Sequence, residues 1–143
     1  MMNRPFSEED EKKIIKAIAD AESGTSGEIR VHIDKYCKTD PLLKAKNLFS
    51  DFKMNETDLR NGVIIYVSLL DKKLAIFGDK GINEKVDDNF WNSTLQIMKT
   101  SFTNGKIADG IIEGLCEAGK KLKEHFPKSD NDTNELPDEI TFG

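Results

Sequence analysis

The sequence feature that most restricts the fold is an uninterrupted apolar run from Gly62 to Leu70, which reads GVIIYVSLL. A half-exposed strand would alternate apolar and polar residues, so a continuous, β-branched run is typical of a strand that is covered on both faces. It predicts the central strand of a sheet with helices on both sides. Asp71 and Lys72 then predict a tight turn into a second, antiparallel strand, Lys73–Phe77.

The segments on either side of this hairpin have helical or strand periodicity. From Glu28 to Ile33 apolar and polar residues alternate, which predicts a half-buried strand and places His32 at the surface. Ser7 and Asp40 are expected to cap the first two helices. Helical spacing of apolar residues predicts helices at about 8–23, 40–53, 84–102 and 107–126. The order α-β-α-β-β-α-α indicates an α/β fold with a small mixed β-sheet and about four main helices.

Length and charge limit the domain organisation and the partners. The chain has 143 residues, and we expect one monomeric domain at 1–126 followed by an acidic, flexible tail at 127–143. A net charge of −5 disfavours binding to nucleic acid or to anionic lipid. No apolar stretch is long enough to span or insert into a membrane, so a soluble, cytoplasmic protein is expected, with Cys37 and Cys116 reduced.

The predicted topology brings three loops to one edge of the sheet. A crossover connection makes the first and central strands parallel, and the hairpin reverses the third strand, so residues 22–28, 54–61 and 78–88 meet. We call these three loops the loop edge. Its carboxylates are Glu22, Glu28, Glu56, Asp58, Asp79, Glu84, Asp87 and Asp88. Oxygen ligands at this density suit calcium or magnesium, although solvated turns, or neutralisation by Arg60 and Lys80, are the alternatives.

Three segments in succession carry a family resemblance. They are TSGEIRV at 25–31, LRNGVIIYV at 59–67 and KLAIFGDKGI at 73–82. In order and spacing they resemble the TPM domain family, and the similarity extends over about residues 7–126. The resemblance implies a three-layer α/β/α sandwich, calcium binding in some members, and acid phosphatase activity or partner binding in others. It also implies a cluster of loop residues at Ser26, Gly27, Glu28, Arg60, Asn61, Gly62, Gly78 and Asp79.

The hypothesis that we favour is a calcium-binding accessory or regulatory domain, with magnesium as the alternative ion. Its expected metal ligands are Glu28, Asp79, Asp87 and Asp88. One alternative is a metal-assisted acid phosphatase in which Arg60 stabilises the phosphoryl oxygens and Asn61 orients the substrate. Another is a module that binds a protein partner at the loop edge, with metal binding incidental. The sequence offers ligands but no unambiguous nucleophile or general acid, which favours the first hypothesis.

Overall fold

A computed structural model describes residues 6–128 and 140–143, and its centre is a four-stranded mixed sheet. The strands are β1 Glu28–Asp34, β2 Gly62–Ser68, β3 Lys73–Gly78 and β4 Ile140–Phe142. They lie in the order β3-β2-β1-β4, with β1 parallel to β2 and β3 antiparallel to β2. Every residue of β2 is buried, so the apolar run is a central strand as predicted.

Helices cover both faces of the sheet. They are α1 Glu8–Glu22, α2 Pro41–Asp51, α3 Lys80–Asn83, α4 Asn92–Thr103 and α5 Ile107–His125, with a 3-10 turn at Met54–Glu56. The apolar face of β1 packs with α1 and α5 in one core cluster. On the opposite face Phe49 of α2 packs against Ile64 and Tyr66 of β2 in a second cluster. The predicted α/β fold, a three-layer α/β/α sandwich, is confirmed.

The first two helices begin where their caps predict. Ser7 Oγ accepts a hydrogen bond from the amide of Asp10 at 3.1 Å, and Asp40 Oδ2 accepts one from Leu43 at 3.1 Å. The predicted start of the next long helix at 84 is wrong, because α4 begins at Asn92. Residues 84–91 form turns in which Asp87 Oδ1 accepts from the amide of Asn89 at 3.0 Å, a local bond that competes with a helix.

The chain end differs from the flexible tail expected at 127–143. Ile140–Phe142 forms β4, which pairs in parallel with β1 through Val31 and Ile33. Ile140 and Phe142 contact the α1 and α5 core cluster, so apolar burial stabilises this short strand. Residues 129–139 of the expected tail lie outside the described part of the chain. No helix within the described residues is long and apolar enough to cross a membrane.

The polar side of β1 is buried, which the alternating pattern did not predict. His32 is only 4% exposed, so its expected surface position is wrong. Its Nε2 lies 2.9 Å from Asp34 Oδ1 and its Nδ1 lies 2.7 Å from Thr141 Oγ1 of β4. The hydroxyl of Tyr66 donates to Asp34 Oδ2 at 2.6 Å. Covering β1 with β4 and with Phe52, whose ring centroid is 5.7 Å from that of His32, therefore builds a buried polar network.

Candidate functional site at the loop edge

The loop edge forms at the end of the sheet where β1 and β2 begin, and two of its loops cross there. The amide of Asp79 donates to Gly62 O at 3.0 Å, and the amide of Gly81 donates to Arg60 O at 2.9 Å. A Cβ atom at Gly81 would lie 2.6 Å from Arg60 O and closer still to Leu59 O. Only glycine therefore permits loops 54–61 and 78–88 to approach this closely.

An ion pair joins the same two loops beside the backbone contact. Arg60 donates from Nε to Asp79 Oδ2 at 2.7 Å and from Nη2 to Asp79 Oδ1 at 2.9 Å. Asp79 is 4% exposed, and its Oδ1 also accepts from the amide of Lys80 at 2.8 Å. These bonds to Asp79 raise the pKa of the Arg60 guanidinium above its usual range, with a smaller contribution from Glu84. Both oxygens of Asp79 are thus occupied by a cationic group of the protein itself.

The third loop, 22–28, is held to loop 54–61 and to the end of α5. Asn61 is 1% exposed and donates from Nδ2 to Ser26 Oγ at 3.2 Å. The amide of Ser26 donates to Phe126 O at 2.9 Å, and Thr25 Oγ1 donates to the same carbonyl. Side-chain and backbone hydrogen bonds therefore fix this loop from two sides.

The structure brings only part of the predicted metal-ligand set together. Glu28, 3% exposed, is the first residue of β1 and lies opposite Gly62, whose carbonyl binds the amide of Asp79. Asp87 and Asp88 are exposed in the turns between α3 and α4. Across residues 6–128 and 140–143, no three His, Cys, Asp or Glu side chains are grouped closely enough to hold a metal ion. Oxygen donors are present, but the four residues do not fit a preassembled site.

The two residues predicted to act in a phosphatase are both engaged with the protein. Arg60 is paired with Asp79, and Asn61 is buried and bonded to Ser26. The geometry therefore supplies no specific support for phosphoryl transfer.

The surface of the crossing loops is predominantly acidic. Its exposed carboxylates are Glu56, Asp58, Glu84, Asp87 and Asp88. Of the lysines in these loops, Lys85 points away, because its Nζ donates to His125 O at 3.1 Å and lies 4.4 Å from the ring centroid of Phe126. Lys80 and Arg60 are the remaining bases there, and Arg60 is already paired. The exposed side of the crossing thus favours cations.

Sequence reasoning missed Thr57, which is buried in loop 54–61. Its side chain is 5% exposed, and within the described residues its Oγ1 has no hydrogen-bond partner. Its carbonyl accepts from the amide of Arg60 at 3.3 Å. A threonine between two acidic residues reads as an ordinary loop residue, so no signal in the sequence marks its burial.

The fold and the loop edge define a class of protein: a three-layer α/β/α domain with acidic crossing loops at one end of its sheet. The sequence model of the TPM domain matches residues 4–121. This chain therefore belongs to the TPM domain family, and the resemblance inferred from its sequence segments is confirmed.

Solved structures agree with this assignment. The chain is 42% identical to BA42 from the psychrophilic bacterium Bizionia argentinensis, with 100% of this chain and 99% of that chain covered and a TM-score of 0.93. The N-terminal domain of cg2496 from Corynebacterium glutamicum shares the fold, at 12% identity, 95% and 80% coverage and a TM-score of 0.66. The N-terminal domain of a protein from P. gingivalis does so at 14% identity, 85% and 78% coverage and a TM-score of 0.69. No curated protein matches the chain.

Proposed function

We propose that this TPM domain binds a divalent cation where loops 54–61 and 78–88 cross, and that it acts as an accessory or regulatory domain. Calcium is the expected ion and magnesium the alternative. The observation that carries the proposal is the crossing itself. Two acidic loops are held together by the hydrogen bond from the Gly81 amide to Arg60 O and by the ion pair between Arg60 and Asp79. Clustered carboxylates repel one another unless a cation lies between them, so such a crossing favours cation binding.

The crossing offers the kinds of oxygen that calcium uses. Calcium takes about 6–8 oxygens, from carboxylates, backbone carbonyls and water, in a flexible geometry. The carbonyls of Leu59 and Arg60 lie at the crossing beside Gly81, and Thr57 Oγ1 has no partner among the described residues. The exposed carboxylates lie on the same two loops. We therefore expect a site that small loop movements complete rather than a preformed cage.

Arg60 binds the carboxylate oxygens of Asp79 that a metal ion would also bind. Its guanidinium neutralises Asp79, the least exposed carboxylate of the two loops, through both oxygens. A divalent cation at Asp79 would compete with Arg60 for these oxygens. Removing the guanidinium should therefore strengthen cation binding, whereas removing the carboxylate should weaken it.

Calcium-dependent stability tests this proposal. Urea unfolding of the wild type, Arg60→Gln and Asp79→Asn is compared with and without calcium, with magnesium as a second ion. A ligand present at 100 times its Kd adds about 2.7 kcal/mol to the free energy of unfolding. We expect calcium to raise the free energy of unfolding of the wild type. Arg60→Gln should show the same gain at a lower calcium concentration, and Asp79→Asn should not show it.

A matched control is Lys99→Gln, which removes one positive charge from an exposed position on α4. It should leave the calcium response unchanged. If Lys99→Gln and Arg60→Gln enhance calcium binding equally, net charge rather than the crossing is responsible. If calcium leaves wild-type unfolding unchanged, the proposal fails.

One exposed apolar residue supports a regulatory role over simple ion storage. Leu59 is 54% exposed and lies next to Arg60 in the crossing. A cation that reorganises this loop would change how Leu59 is presented to a protein partner. The proposed function thus includes a protein partner at the loop edge, whose binding would depend on the cation.

A further inference from the structure

A groove of about 370 Å³ lies between α1 and α5, formed by residues outside the two crossing loops. Its lining includes Ala17 and Ala21 from α1 and Gly119 from α5. The helices approach closely there, since a Cβ at Gly119 would lie 2.9 Å from Ala21 Cα. Small side chains at this contact leave a hollow beside it among the residues that the structure describes. Ile112 contributes a branched apolar side chain to the lining.

The rim of the groove carries two lysines. Lys120 and Lys123 on α5 line it, and neither has an ion-pair partner among residues 6–128 and 140–143. The acid on the opposite side, Asp20, is neutralised by Lys16 at 2.8 Å. The aliphatic part of Lys123 lies over Gly24 at one end, with its Cδ 3.2 Å from a Cβ placed there. In a chain with a net charge of −5, this is a local basic patch over apolar surface.

We propose that this groove binds an anionic amphiphile, specifically a linear medium-chain carboxylate. Its acyl chain would lie along the surface of Ala17, Ala21 and Gly119, and its carboxylate would bind the ammonium groups of Lys120 and Lys123. The volume is at the low end of the range for small-molecule sites, about 300–1,000 Å³. A stable protein partner would need about 800 Å² of surface on each side, for which so small a groove is ill suited.

Cys116 gives a direct measure of occupancy, because it is exposed and lines the groove. The other cysteine of the chain, Cys37, is 4% exposed, and its thiol donates to Thr39 O at 3.2 Å. A neutral thiol reagent such as 4,4′-dithiodipyridine should therefore react first with Cys116. A molecule bound in the groove should slow that reaction.

The experiment measures the rate of Cys116 modification against decanoate concentration, below the concentration at which decanoate forms micelles. Decyltrimethylammonium and decanol are the cationic and neutral comparisons. We expect saturable protection by decanoate and much weaker protection by the other two. Lys120→Gln and Lys123→Gln should each raise the apparent Kd about two- to five-fold, as expected for an exposed charge contact. Lys12→Gln, an exposed change of equal charge on α1 outside the lining, is the matched control.

A second pair of variants tests the apolar part of the site. Ala17→Leu places a larger side chain in the groove and should abolish protection, whereas Ala19→Leu, at an exposed position of the same helix, should not. Circular dichroism establishes that each variant is folded. The proposal is overturned if decanoate gives no saturable protection of the wild type, if the cationic amphiphile protects equally well, or if the lysine variants behave like Lys12→Gln.

Discussion

Replacing Gly81 by alanine adds a single methyl group where the two loops cross. Its Cβ would lie 2.6 Å from Arg60 O and 3.0 Å from Arg60 C, and nearer still to Leu59 O. Ordinary contacts begin near 3.5 Å, and these neighbours are backbone atoms that cannot rotate away. The loops must separate by most of an ångström or more. That displacement strains the hydrogen bond from the Gly81 amide to Arg60 O and the ion pair between Arg60 and Asp79.

The expected cost follows from overpacking, which destabilises proteins by about 1–3 kcal/mol. Alanine is favoured over glycine in a helix by about 1 kcal/mol, but α3 is a single turn, so this gain offsets the cost only in part. We expect a net loss of about 1–2 kcal/mol in the free energy of unfolding. With a urea m-value of about 2 kcal/mol/M, the middle of the usual range, the midpoint should fall by roughly 0.5–1 M.

Urea unfolding followed by circular dichroism measures this midpoint. Gly24→Ala is the matched control, because the three atoms nearest to a Cβ there all belong to the flexible side chain of Lys123, at 3.2 Å and beyond. Its effect should stay within about 0.5 kcal/mol. If Gly81→Ala unfolds at the wild-type midpoint, the loops do not cross as closely as described.

Three further predictions concern the buried polar network. Tyr66→Phe leaves one oxygen of Asp34 without its phenol donor and should cost about 1–3 kcal/mol in urea unfolding, whereas the 61%-exposed Tyr36 tolerates the same change. Burial lowers the pKa of His32 despite its bond to Asp34, so on acidification the unfolded state takes up the proton before the folded state does. The free energy of unfolding should therefore fall as the pH drops below about 6.5, and it should fall less in His32→Gln. Burial also raises the pKa of Tyr66, so unfolding measured above about pH 10 should show a loss of stability that Tyr66→Phe lacks.

The elements that the sequence predicted correctly are those with a local physical signature. A continuous β-branched run indicated β2, and the capping residues Ser7 and Asp40 marked two helix starts. The short strand β4 was missed because its three residues carry too little pattern, and its pairing with β1 joins distant parts of the chain. The turns at 84–91 were mistaken for helix because Val86 and Phe90 pack against the core at helix-like spacing.

Only part of the candidate site, likewise, could be predicted from the sequence. Strand directions alone placed the three loops at one edge, because a crossover and a hairpin fix which strand ends meet. Neutralisation of the loop carboxylates by Arg60 was one of the alternatives that the sequence offered, but its particular partner, Asp79, could not be predicted. Arg60 lies in the left-handed region, at φ 52°, and no glycine or asparagine at that position indicates this conformation. The burial of His32 was not predicted because it depends on contacts with β4, which the sequence analysis also missed.

The central claim, a divalent-cation site where the two loops cross, is tested most directly by a calcium titration followed through backbone amide NMR shifts. The titration runs to about 10 mM, ten times the weakest Kd usual for protein calcium sites, about 1 mM. We predict saturable shifts confined to residues 54–61 and 78–88, with smaller changes in 25–28, and their loss in Asp79→Asn. The claim is contradicted if the crossing loops show no shifts at about 10 mM calcium or magnesium, or if the shifts appear only elsewhere in the chain.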